Sequence, residues 1–127
     1  MKTAKEAVQF TLADGLHVEL TELNVTVDHI NFSFRITGDD PNKPLTMADW
    51  GNRTFAVLAG NATTQYIAAS CGQREDGSLM YTGHCMIRGE TSRLTVFPVD
   101  GGQENNVMRA GVVPDDLPES PIHIELE

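Results

Sequence analysis

The chain has 127 residues, 40% of them hydrophobic, and carries 18 acidic against 9 basic side chains, for a formal charge of −9. That length supports one domain with its own core, needing neither metal nor disulfide, while the negative field repels phosphate backbones and anionic lipid and so sets nucleic acid aside as a partner. No apolar run reaches the roughly 18 residues of a membrane span, and no apolar stretch follows Lys2 and Lys5 as it would in a secretory leader.

In chain order the dominant signal is period-two alternation, which sends successive side chains to opposite faces of a strand. Val8, Phe10 and Leu12 alternate with polar residues up to a turn at Asp14-Gly15. Leu16, Val18 and Leu20 form the next set. Leu23, Val25 and Val27 then continue on odd positions, so a bulge is expected between Leu20 and Leu23. After a turn at Asp28-His29, Ile30, Phe32, Phe34 and Ile36 make the clearest strand. The stretch from Gly38 to Pro44, with two prolines, is a loop that runs on toward Trp50-Gly51-Asn52. Only Ala4 to Gln9 and Thr46 to Trp50 suggest a turn of helix.

Further strands are expected over Thr54 to Leu58 and, past a turn at Gly60-Asn61, over Thr64 to Ser70. Glu75-Asp76-Gly77-Ser78 reads as a hairpin turn leading into Leu79 to Ile87. Ser92 to Val99 follows, weakened at its end by Pro98, which has no N–H to give a ladder. Val107 to Val113 is expected to add a short strand, and Ile122, Ile124 and Leu126 a last one. Short strands with turns every 8–12 residues are the pattern of an antiparallel two-sheet sandwich. Residues 1–127 thus read as one all-β domain of about seven to nine strands. Its expected core is Leu16, Val18, Val25, Val27, Ile30, Phe32, Phe34, Ile36, Phe55, Val57, Ile67, Leu94 and Val96.

Few residues suggest chemistry. Cys71 and Cys85 lie on the two arms of the expected hairpin, where Cys71 would stand opposite Thr82. A disulfide between them needs a longer loop, a bulge or packing across sheets, and an exported, oxidising setting as well; two free thiols are the alternative. His84 precedes Cys85 and so points to the opposite face, which leaves the thiol without an adjacent base. Trp50, with Tyr66 or Tyr81, could stack on a sugar ring; each could equally fill the core. The acidic residues Asp39, Asp40, Glu104, Asp115 and Asp116 fall short of a calcium loop. No paired zinc-ligand spacing, phosphate-cradling glycine loop, GxSxG or HExxH occurs. Asn24, Asn31, Asn52 and Asn61 each begin an Asn-x-Ser/Thr sequon, frequent by chance in so Asn- and Thr-rich a chain. No cofactor, metal or catalytic residue is expected.

Asp14-Gly15-Leu16-His17-Val18-Glu19-Leu20, Val25-Thr26-Val27-Asp28, Ile30 to Ile36 and Leu94-Thr95-Val96-Phe97-Pro98 together resemble a known group. They are similar to the immunoglobulin-like extracytoplasmic domains of membrane-anchored, anti-sigma-factor-like proteins of Gram-positive bacteria. The resemblance implies an immunoglobulin-like β-sandwich and a non-enzymatic module, tethered through a segment outside this chain, that binds or senses a protein or glycan at the cell envelope. A domain excised from a longer chain is part of that expectation. Two other readings stand beside it: a carbohydrate-binding module using exposed aromatics, and a small cytosolic enzyme using Cys71 or Cys85.

Overall fold

The computed structural model describes residues 1–60 and 62–127, with the side chain of Tyr66 excepted. Eight strands and two short helices follow one another as β1 (Gln9–Thr11), β2 (His17–Val25), β3 (His29–Thr37), α1 (Met47–Trp50), β4 (Arg53–Leu58), β5 (Thr63–Gln73), β6 (Leu79–Arg88), β7 (Arg93–Asp100), α2 (Glu104–Ala110) and β8 (Ile122–Glu125). They build an antiparallel sandwich: one sheet in the order β1-β2-β3-β6-β5, facing another in the order β4-β7-β8.

The alternation converts directly into faces. On β3, Ile30, Phe32, Phe34 and Ile36 are buried, while His29, Asn31, Ser33 and Arg35 turn outward. The parity change on β2 is a register shift between Leu20 and Glu22, which returns Leu23 and Val25 to the core. Gly15, at φ 94°, occupies the left-handed region in the turn after Leu12, where its N–H donates to the Leu12 carbonyl at 2.9 Å. Gly83 stands opposite Phe32, whose ring fills the space that a Cβ at position 83 would need.

Aromatic side chains occupy the space between the sheets. Phe34 and Phe55 lie 4.8 Å apart, Phe55 and Tyr81 5.0 Å, and Trp50 packs on Phe55 at 5.5 Å. The Tyr81 hydroxyl crosses from one sheet to the other, 2.6 Å from Thr54 Oγ1 and accepting the Phe55 N–H at 3.1 Å. Among the described residues, no buried polar side-chain atom lacks a partner.

Each flank of the sandwich carries links between the two sheets. On one, the N-terminal segment pairs Lys2 with Val25 of the larger sheet and Ala4 with Leu126 beyond β8. On the other, Ala59 bridges Ala62, and the Thr64 hydroxyl of β5 donates to the Val57 carbonyl of β4 at 2.7 Å.

Three expectations need correction. Val27 is 59% exposed, because β2 ends at Val25 and the Thr26 hydroxyl takes up the turn by accepting the His29 N–H at 3.0 Å. Residues 4–9 make no helix; Ala4 bridges Leu126, the chain bends at Lys5 and Glu6, and Gln9 already belongs to β1. Pro98 lies, as expected, near the end of β7, past Val96, where the β8 pairing stops and a missing N–H is tolerated. Residues 107–110 belong to a helix, not a strand. Glu104 sits in the first turn of α2, Arg109 in the last, and Gly111 closes it in the left-handed conformation. The turn expected at Gly60-Asn61 falls partly outside the described residues, since Asn61 is not among them.

The two sheets differ in what covers them. In the smaller one, Ala56 and Phe97 face away from Phe55 and Val96 yet are fully buried. Met108 of α2 is buried as well, and Val107, Val113 and Leu117 pack against the same cluster. The larger sheet keeps an uncovered outer face, and that face is polar.

Candidate functional site

That outer face is assembled from alternate residues of four long strands. β2 contributes His17, Glu19, Glu22 and Asn24, and β3 contributes His29, Asn31, Ser33 and Arg35. β6 adds Thr82 and His84, and β5 adds Ala68 and Ser70. Small side chains at Ala68 and Ser70 of β5 leave a shallow depression of about 560 Å³ bordered by Glu22, Asn24, Asn31, Ser33, Thr82 and His84.

Hydrogen bonds orient its rim. His84 Nδ1 lies 2.6 Å from Asn31 Oδ1, a carbonyl oxygen that can only accept, so Nδ1 is the donor of this bond. The His29 ring lies 4.9 Å from that of His84, and its Nδ1 is 3.2 Å from the Asp28 carboxylate. Ser33 and Thr82 hydroxyls meet across the strands at 3.5 Å. At the far end of the face, His17 Nε2 donates to Asp39 at 2.6 Å while Thr11 meets Nδ1 at 3.1 Å. Arg35 reaches Asp76 at 3.0 Å. Amides, hydroxyls and imidazoles thus alternate over a flat surface, a donor and acceptor array suited to a polar ligand.

The residues singled out from the sequence lie elsewhere. Trp50 and Tyr81 are each 2% exposed, inside the core. The loop leading into α1 folds Trp50 beneath the sheet edge, where Arg53 lies 4.7 Å above its ring and donates to its carbonyl at 2.7 Å. Neither aromatic presents a face to a sugar, so both follow the core-packing reading and the stacking alternative does not hold for them. Tyr66 lies on β5, but its side chain is outside the described residues.

The cysteines are also separated. Cys71 pairs with Tyr81 and Cys85 with Ile67, so four residues of strand, about 13 Å at roughly 3.3 Å each, lie between them. A disulfide requires Cα atoms within about 7 Å. Both thiols are free, and the disulfide alternative does not hold. The expected register differed by one residue because the hairpin closes with Arg74 N–H on the Ser78 carbonyl at 2.8 Å. Burial pushes the Cys85 thiol up to about 12 and raises that of Cys71 as well. The Cys85 S–H points at the Met86 carbonyl, 3.4 Å away. Neither environment favours the thiolate that cysteine chemistry requires.

The acidic residues serve turns and ion pairs. Asp40 accepts the Asn42 N–H at 2.9 Å, and Glu104 accepts that of Gly102 at 2.8 Å. Asp14 pairs with Arg53 at 2.8 Å. No group of three or more metal-ligating side chains converges among the described residues. The alternation on β2, β3 and β6 marked Asn24, Asn31, Ser33 and His84 as outward, but nothing in the sequence distinguished this sheet's open face from the covered one. Comparison with protein-family models, curated proteins and solved structures finds no match to the chain.

Proposed function

We infer that this is a non-enzymatic binding or sensing module of the bacterial cell envelope, immunoglobulin-like in architecture, whose contact surface is the outer face of the larger sheet. The observation carrying this reading is the open array of Glu22, Asn24, Asn31, Ser33, Thr82 and His84 around the depression, on a sandwich whose other sheet buries Ala56 and Phe97 of its outward face. Strand order supports the architecture. With β2 to β8 lettered A to G, the sheets run A-B-E-D and C-F-G, the order of an immunoglobulin constant-type sandwich with β1 added at one edge. Fold alone does not specify a role, so the argument rests on the face.

A ligand there is held by hydrogen bonds to amides, hydroxyls and imidazoles, which suits a glycan or an extended peptide. Titrating isotope-labelled protein with solubilised cell-wall glycan fragments, and separately with envelope protein fractions, tests this by NMR. Shifts concentrated at Asn24, Asn31, Ser33, Thr82 and His84, and lost in Asn31→Ala, are expected. Shifts confined to the opposite sheet would reject the surface. Placement outside the cytoplasm is tested by fusing the native gene to alkaline phosphatase, which is active only after export. An inactive fusion counts against the envelope assignment.

A further inference from the structure

The edge of β5 is built differently from the other flanks of the sandwich. The N-terminal segment covers the sides of β2 and β8, whereas β5 ends the larger sheet and, among the described residues, no strand lies beyond it. It is 11 residues long and its sequence, TTQYIAASCGQ, contains none of the chain's charged residues and no proline. Lysines, prolines and short length are the usual means of blunting such an edge. The one irregularity is the register shift between Gln65 and Ile67.

Two hydrogen bonds fix which backbone groups face outward. The Arg74 N–H points back toward β6, donating to the Ser78 carbonyl at 2.8 Å. The Ile67 N–H points the other way and donates to Asn105 Oδ1 at 3.0 Å. In an antiparallel ladder these directions alternate, so the N–H and C=O groups of Ala69, Cys71 and Gln73 all point away from β6. Among the described residues no partner reaches them. Asn105 of α2 already imitates a neighbouring strand at Ile67 and closes the edge there. The open window therefore runs from Ala69 to Gln73.

We propose that this window pairs with the same window of a second copy of the chain, β5 to β5, about a two-fold axis at Cys71. The window is self-complementary. Hydrogen-bonded antiparallel pairs join residues whose outward groups match, so Cys71 faces Cys71 of the second copy and Ala69 faces Gln73 in both directions, giving about six hydrogen bonds. Centring the axis on Ala69 instead would place Cys71 of one copy against Ile67 of the other and displace Asn105. The absence of charge on β5 keeps the like charges of two copies, −9 each, away from the seam. Small side chains at Ala68, Ala69, Ser70 and Gly72 allow close approach.

Sedimentation velocity from micromolar to millimolar concentration reads the association. A reversible monomer–dimer equilibrium is expected, weakened at least about tenfold by Ala69→Pro, which removes only an outward N–H, and by Ala69→Lys, which places a charge on the edge. Both substitutions leave the β5–β6 ladder intact, and circular dichroism verifies the fold. A short bis-maleimide, each end adding one thiol across its alkene, is expected to join Cys71 to Cys71 in the dimer. Cys85→Ala should cross-link equally well and Cys71→Ser not at all. A chain monomeric throughout the range overturns the proposal, as does a dimer that both folded Ala69 variants leave unchanged, or an edge that takes up added peptide without self-association. Envelope-ligand binding by a strictly monomeric protein would sink this pairing and leave the proposed function standing.

Discussion

Replacing Tyr81 by Phe removes one oxygen from the centre of the sandwich and almost no volume. That oxygen accepts the Phe55 N–H at 3.1 Å and meets Thr54 Oγ1 at 2.6 Å, linking β6 to β4 across the core. Phe55 is fully buried, so its amide would lose its partner without gaining water. An unmet buried donor costs roughly 1–3 kcal/mol. The Thr54 hydroxyl is only half-buried and can turn toward solvent, so its share is small. The expected loss for Tyr81→Phe is about 2 kcal/mol, or about 6–8 °C in Tm for a domain of this size.

Thr54→Ala leaves the Phe55 amide bonded to the phenol and should cost less, about 0.5–1.5 kcal/mol. The double variant should show a coupling of at least about 0.5 kcal/mol, since the two hydroxyls share one bond. Urea unfolding followed by the fluorescence of Trp50, whose ring lies 5.9 Å from that of Tyr81, measures all three variants. The slope with denaturant should stay constant while the midpoint moves. A loss below about 0.5 kcal/mol for Tyr81→Phe, or a larger loss for Thr54→Ala, would refute the claim that this hydroxyl ties the sheets together.

Gly83→Ala drives a methyl into the Phe32 ring and should destabilise by about 1–3 kcal/mol, with Phe32→Leu in the same chain recovering part of it; an unchanged midpoint would contradict the packing. On the acid side, the Ser78 hydroxyl and amide, then Arg35, hold the Asp76 carboxyl well below its ordinary value of 3.8. Thr26 does the same for Asp28, and the Thr46 backbone for Asp49. Depressed folded-state values mean that this stability is present above about pH 4 and is lost as pH falls further, so Asp76→Asn should flatten the acid limb of a stability–pH curve. On the alkaline side, burial pushes Cys85 from 9.0 up to about 12, so the folded state keeps a proton that the unfolded state releases. Stability should therefore be complete below about pH 9 and fall between about pH 9 and 12, with a shallower fall in Cys85→Ala. In thiol titration at neutral pH, Cys85 should react only on unfolding, and Cys71, half-buried, slowly beforehand; a fast burst from either would revive a nucleophilic role.

Much of the fold was legible before any coordinates. The parity change between Leu20 and Leu23 located the β2 bulge, because a one-residue shift is the way to keep both apolar sets on one face. Of the thirteen expected core residues only Val27 is exposed, at 59%. The candidate site was legible in part. Alternation marked Asn24, Asn31, Ser33 and His84 as outward, while which outward face stays open depends on α2 and the segment after it, whose placement no local pattern encodes. Core packing of Trp50 and sugar stacking both stood as readings, because a loop with two prolines does not by itself set whether its tryptophan folds inward; the structure takes the first. The strand expected at residues 107–113 failed for a similar reason. Val107, Met108, Val112 and Val113 suit either period, and the end signals at Glu104, Arg109 and Gly111 were the better guide.

The sequence by itself determined the strands, their inward and outward residues, the tight turns and the all-β class, since each follows from backbone geometry over a few neighbouring residues. Tertiary structure alone decided the sheet order, the cover over the smaller sheet, the burial of Trp50 and Tyr81, and the separation of the two thiols. Those depend on which distant segments meet, and a period-two pattern fits any partner that offers an apolar face.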